Sequence, residues 1–119
     1  MSNRPTPDQT LRVEVQQRGD LAIVKLSGSA SMDVCSTLQE RLYDLIDLEV
    51  KRLVLDMSEL DFMSSVGLGA IIAAHLRARH RNCEIRIVGP KPRILELLDL
   101  TRLTRLFDVF KSMDEAIAV

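Results

Sequence analysis

The sequence predicts a single α/β domain: a small mixed β-sheet whose first two strands form a hairpin and whose remaining strands run parallel, with about four helices packed mainly on one face. Three observations predict it. Apolar runs of strand length alternate with segments whose apolar residues recur at helical spacing. Strands separated by helices favour parallel neighbours. The first two runs, by contrast, are joined only by Gly19-Asp20, a hairpin turn signal. The 119 residues make one domain of sufficient size for its own core, and a hydrophobic content of 46% argues against disorder. With aromatics at 3%, that core must be built from Leu, Ile, Val and Ala.

In chain order, residues 1–10 (MSNRPTPDQT) read as a flexible arm and residues 11–119 as the domain. From Leu11 to Arg18 the pattern alternates, with Leu11, Val13 and Val15 on one side and Arg12, Glu14 and Gln16 on the other. Leu21–Leu26 is the second strand, and SGSASMD (Ser27–Asp33) the small-residue loop that closes it. Ser31 or Asp33 is placed to cap a helix in which Leu38, Leu42, Leu45 and Ile46 form one apolar stripe. The consecutive apolar residues Leu53–Leu55, between Arg52 and Asp56, read as a central strand buried on both sides. A polar turn then leads to the pair Ser64-Ser65 and a helix to Leu76. Glu84–Val88 is a fourth strand, stopped by Gly89-Pro90. Pro92 suits the first turn of a third helix containing Ile94, Leu97 and Leu98. Thr101–Phe110 is irregular, with Leu103, Leu106, Phe107, Val109 and Phe110 available to cover the core. Ser112 and Glu115 have capping-box spacing and open a last short helix.

Composition and spacing exclude several function classes. A net charge of -1 gives no general reason to expect nucleic acid or an anionic membrane as partner. No apolar run approaches the roughly 20 residues needed to cross a bilayer, and the amino terminus lacks a signal-peptide apolar region, so a cytoplasmic protein without membrane insertion is expected. Cys35 and Cys83 have no metal-like spacing and read as reduced, buried cysteines; no metal or cofactor is expected. An enzyme does not find its parts. Ile72 stands where a dinucleotide fingerprint needs its third glycine, and no lysine follows to hold a nucleotide phosphate. Ser65 lies outside a G-x-S-x-G elbow, and only His75 and His80 are available as its base. His75 reads as a packing histidine near Arg79, the basic run Arg77–Arg81 as a solvated helix end, and Met32, Met57 and Met63 as adaptable packing.

The informative stretch is DMSELDFMSSVGLGAIIAAHLRAR, residues 56–79. Serine is a preferred N-cap, which puts Ser65 at the mouth of the helix, where unpaired amides and the helix dipole both favour a phosphate. On a helical wheel Leu68, Ile71, Ile72 and Leu76 gather on one side, expected to face the sheet. Val66, Gly67, Ala70, Ala73 and Ala74 gather on the other. That outer face is small, apolar and uncharged before Arg77, which reads as a partner surface beside a modifiable serine.

This stretch resembles the strand, turn and M-D-S-S/T-G-L-G helix start of STAS domains, in particular of the anti-sigma factor antagonists. IRIVGPKPRILELLDLTRLTRLFDVFKSMDEAIA is similar to the closing strand and helices of the same family, so the resemblance covers almost all of the chain. It implies a single STAS domain, no catalytic activity and a partner-switching role. In that family the unphosphorylated protein binds a serine-kinase anti-sigma factor of the GHKL type and so frees a sigma factor. The kinase then phosphorylates the antagonist, which breaks the complex, and a PP2C-type phosphatase resets it. Aligning Met63, Gly67, Leu68 and Gly69 with the motif puts the phosphorylated serine at Ser65, with Ser64 the second choice. The partner surface implied comprises Ser31, Asp33, Met63, Ser64, Ser65, Val66, Gly67, Ala70, Ala73, Ala74 and Arg77. Ser64 stands where the family has Asp. Gly28-Ser29-Ala30-Ser31 resembles the family's G-E-L-D stretch without its acids, and Asp33 lies two residues on. These departures keep an alternative in view: a non-switching STAS module, either a stressosome-like scaffold subunit or the cytoplasmic subunit of a lipid-transport ATPase complex. Oligomeric state is left as monomer or weak dimer.

Overall fold

Gly19, at φ +59°, takes the first central position of a two-residue turn and lets β1 (Arg12–Arg18) fold back on β2 (Leu21–Ala30) as an antiparallel pair. The computed structural model describes residues 11–118, so the expected arm over residues 1–10 lies outside it. β3 (Arg52–Met63), β4 (Glu84–Val88) and β5 (Asp108–Phe110) then add in parallel, giving the sheet order β1-β2-β3-β4-β5. The hairpin and the parallel remainder are as the sequence predicts. β5 is an addition within the stretch expected to be irregular.

α1 (Cys35–Asp47), α2 (Ser65–His80) and α3 (Pro92–Leu100) pack on one face, and the short α4 (Met113–Ile117) on the other. Strand alternation divides the apolar residues between the two layers. Ala22, Val24, Leu26, Leu53, Leu55, Met57, Ile85 and Ile87 join Leu38, Leu42, Ile46, Ile71, Ile94 and Leu98 in the main core. Ile23, Val54 and Val88 form a smaller cluster with Ala116 beneath α4. Leu53, Val54 and Leu55 are fully buried, as expected of a central strand covered on both sides. Leu103 and Phe107 close the main core, whereas Leu106 faces solvent.

α4 is fastened by the back of the sheet. Ser112 accepts from the Glu115 amide at its start. At its end Arg86 donates to the carbonyls of Ala116 and Ala118, and Arg52 to those of Ile117 and Ala118.

β2 and β3 continue beyond the expected strand ends as a two-stranded ribbon, pairing Ser27–Ala30 with Glu59–Met63. Two register irregularities feed extra residues into β3, so its inward positions fall at Met57, Leu60 and Met63 instead of every second residue. The ribbon carries both sequence segments of interest to one end of the molecule.

Candidate functional site

That end is built where β2 and β3 stop together. Ala30 and Met63 are register partners, and the Ser64 amide donates to the Ala30 carbonyl at 2.9 Å. The Ser31–Asp33 loop and the start of α2, far apart in sequence, are thereby held side by side. Cys35, the first residue of α1, is buried between them, its Sγ 3.7 Å from Ser64 Oγ and bonded to the Ser31 carbonyl.

The two serines divide the work at the helix start. Ser64, extended at φ -78° and ψ 168°, is the N-cap: its Oγ accepts from the Gly67 amide at 3.1 Å, and its carbonyl receives the Leu68 amide. Ser65 is the first helical residue and is exposed. The cap therefore sits at Ser64, one residue before the Ser65 expected from sequence, and Ser65 is left exposed. By helix geometry the amides of Ser65 and Val66 have no intrahelical acceptor and point out of the helix end.

Three large apolar side chains are exposed at this end of the molecule. Met32 is 68% exposed, Phe62 50% and Val66 41%. Met57 and Met63 pack as expected, but Met32 is surface rather than core. Phe62 was not singled out by its sequence; the irregularities in β3 turn it outward, and no periodicity reveals that. Ser31 and Asp33 flank this patch, yet neither caps α1. Ser31 Oγ instead donates to Asp33 Oδ1 at 2.7 Å, and α1 starts without a side-chain cap. Asp61, beside Phe62, pairs with Lys91, whose pKa is raised chiefly by that hydrogen bond.

The outer face of α2 differs from expectation. Gly67, Ala70 and Ala74 are buried with Ala78, while Leu76 is exposed and Ile72 half-buried. The small residues let α1 pack against α2 at close range, so they serve the interior. A Cβ on Gly67 would meet Met63 Cγ at 3.0 Å, Cys35 Sγ at 3.3 Å and the Ala30 carbonyl at 3.4 Å. The outward stripe is Val66, Gly69, Ala73 and Leu76, of which Ala73 is half-buried. Of the residues expected on the partner surface, Ser31, Asp33, Ser64, Ser65, Val66 and Ala73 reach solvent at least in part. Met63, Gly67, Ala70 and Ala74 support it from beneath.

Arg77 is already engaged. Its Nε and Nη2 donate to the two oxygens of Asp47 at 3.0 and 2.8 Å, Arg81 adds a second ion pair to the same carboxylate, and the Arg77 guanidinium lies 4.4 Å from the Tyr43 ring centroid. The hydrogen bond to Arg77 is the main cause holding Asp47 below the usual carboxylate range. His75 packs edge-on to Phe107, 5.1 Å between centroids, and burial then Arg79 depress its pKa. Cys83 is buried and reduced, its thiol pushed up to about 11 by desolvation. Among the described residues no group of three or more His, Cys, Asp or Glu is placed to hold a metal ion. No described helix is long and apolar enough to cross a membrane.

The sequence pattern of the STAS domain matches residues 12–116. The chain belongs to the STAS domain family. It is 24% identical over 101 residues to the anti-sigma F factor antagonist of Paenibacillus polymyxa, covering 84% of this chain and 86% of that protein. It is likewise 24% identical over 108 residues to the putative anti-sigma factor antagonist BtrV of Bordetella bronchiseptica, covering 91% and 93%. The fold agrees with the crystal structure of an anti-sigma factor antagonist from Mycobacterium paratuberculosis at a TM-score of 0.83, with 23% identity and 94% of both chains covered. It also agrees with unphosphorylated SpoIIAA, an anti-sigma factor antagonist, at a TM-score of 0.77, with 16% identity and 91% and 93% covered.

Proposed function

We propose that this STAS domain is an anti-sigma factor antagonist that works by partner switching. In its unphosphorylated form it docks onto a serine-kinase anti-sigma factor of the GHKL type through the apolar patch around Ser65, and the sigma factor is released. Transfer of the ATP γ-phosphate to Ser65 Oγ ends the complex, and a PP2C-type phosphatase restores the hydroxyl. The domain itself catalyses nothing and acts in the cytoplasm. The observation that carries this reading is the division between the serines: Ser64 is occupied as the cap, whereas Ser65 is exposed at the end of the molecule that also exposes Met32, Phe62 and Val66.

The physics of the switch is local. A phosphate adds about -1.5 to -2 charges. The outward amides of the first α2 turn accommodate it, so the domain keeps its fold. A partner surface shaped for a hydroxyl and apolar side chains meets buried charge instead, and a penalty of a few kcal/mol changes affinity by orders of magnitude.

Incubation with the cognate kinase and ATP, followed by intact-mass spectrometry and site mapping, tests this reading. One phosphate on Ser65 is expected, absent from Ser65→Ala, which still binds the kinase. One observation favours the non-switching module: Asp33, the sole acid of the Gly28–Asp33 segment, is tied to Ser31 Oγ. A protein that remains unphosphorylated under these conditions supports that alternative.

A further inference from the structure

The two edges of the sheet are unequal. β5 has three residues, a short edge that offers little to pair with, whereas β1 has seven. Among the described residues no strand lies outside β1. Arg18 and Leu21 close the two-residue turn, so Arg12, Glu14, Gln16 and Arg18 direct their backbone groups to β2. Val13, Val15 and Gln17 therefore direct theirs outward.

We propose that β1 is the docking edge for a second copy of this chain. The two β1 strands pair antiparallel about a twofold axis at Gln16, each Glu14 opposite the other copy's Arg18. The charge pattern selects this register. Because facing residues of an antiparallel pair share a sheet face, the axis falls on a residue, and Glu14, Val15 or Gln16 keeps most of β1 paired. An axis at Glu14 sets two glutamates opposite each other. One at Val15 sets Arg12 against Arg18 twice. Only the axis at Gln16 opposes unlike charges, in two symmetric Glu14–Arg18 pairs.

These fall at the non-hydrogen-bonded positions, where strands bring side chains closest, while Val15 and Gln17 exchange the backbone hydrogen bonds. Glu14 and Arg18 line one concavity on the α4 side with Gln16, Ile23 and Met113, and no ion pair among the described residues uses either. The pairing extends the sheet through both copies. It leaves the Ser65 surfaces uncovered, at opposite ends of the dimer, because β2 leads away from the hairpin to Ala30 and Ser64.

Sedimentation equilibrium of the full chain at low and high ionic strength tests this. A concentration-dependent dimer, weakened by salt, is expected. Glu14→Arg and Arg18→Glu should each raise the dimer Kd by about tenfold or more, and the doubly reversed variant should recover most of the loss. Val15→Pro, which removes an outward amide from the pairing edge, should be monomeric. Circular dichroism confirms that each variant is folded. A wild-type protein that is monomeric at every concentration overturns the proposal. So does a dimer that ignores both charge reversals, or one that survives Val15→Pro.

Discussion

The two ends of α2 are built on opposite electrostatic plans. At the carboxyl end Arg77, Arg81 and Asp47 form a closed set of fixed charges that joins α2 to α1, with Tyr43 stacked beside it. At the amino end the helix is capped by the neutral Ser64, and Ser65 is exposed at the end of the molecule that also exposes large apolar side chains. One end is already compensated and has little use for another charge. The other carries outward amides and an apolar surround, so one added charge changes its character. A helix can therefore be locked into the fold at one terminus and kept open to chemistry at the other.

Substitutions at the amino end should give the larger effects. Ser65→Asp is expected to weaken kinase binding by about a hundredfold or more while leaving the thermal midpoint nearly unchanged, as read by calorimetric titration and a melting curve. A large fall in the midpoint would make Ser65 structural and undo the contrast. Gly67→Val drives a branched side chain into Met63, Cys35 and the Ala30 carbonyl, and should cost about 1–3 kcal/mol in denaturant unfolding. Ser64→Ala loses the cap and should cost about 1 kcal/mol, whereas Ser64→Asp should keep most of it.

The smallest effects belong to the carboxyl half. His75 lies below its ordinary value of 6.5, so the unfolded chain binds its proton more readily than the folded one. Its contribution to stability is complete above that value and is lost as pH falls through it. His75→Phe should flatten the acid side of a plot of thermal midpoint against pH. Arg77→Met removes an ion pair that water already screens, and its effect should be smaller than that of Ser64→Ala and fade in salt.

The sequence made the hairpin, the parallel strands and the amphipathic α1 legible because their apolar residues alternate clearly with polar ones. It concealed β5, whose three residues are too few for a period and become a strand only by pairing with Arg86–Val88. It concealed the ribbon too, since SGSA and SELDF are polar segments whose extension comes from pairing with each other. α2 misled for a different reason. Between α1 and the sheet it buries alanines as readily as isoleucines, so side-chain size did not mark the inward face. The cap register was equally hidden, because Ser64 and Ser65 are chemically equivalent caps. Only the Gly67 amide, within reach of Ser64, decides between them.

The fastening of α4 by Arg52 and Arg86 bears on how the chain is made. Ile23, Val54 and Val88 are synthesised well before the helix that covers them. Until α4 docks, that side of the sheet is an uncovered apolar surface, the kind that chaperones bind. A chain interrupted before Ser112 would therefore retain the residues of the main core yet leave Ile23, Val54 and Val88 open to water and to other apolar surfaces.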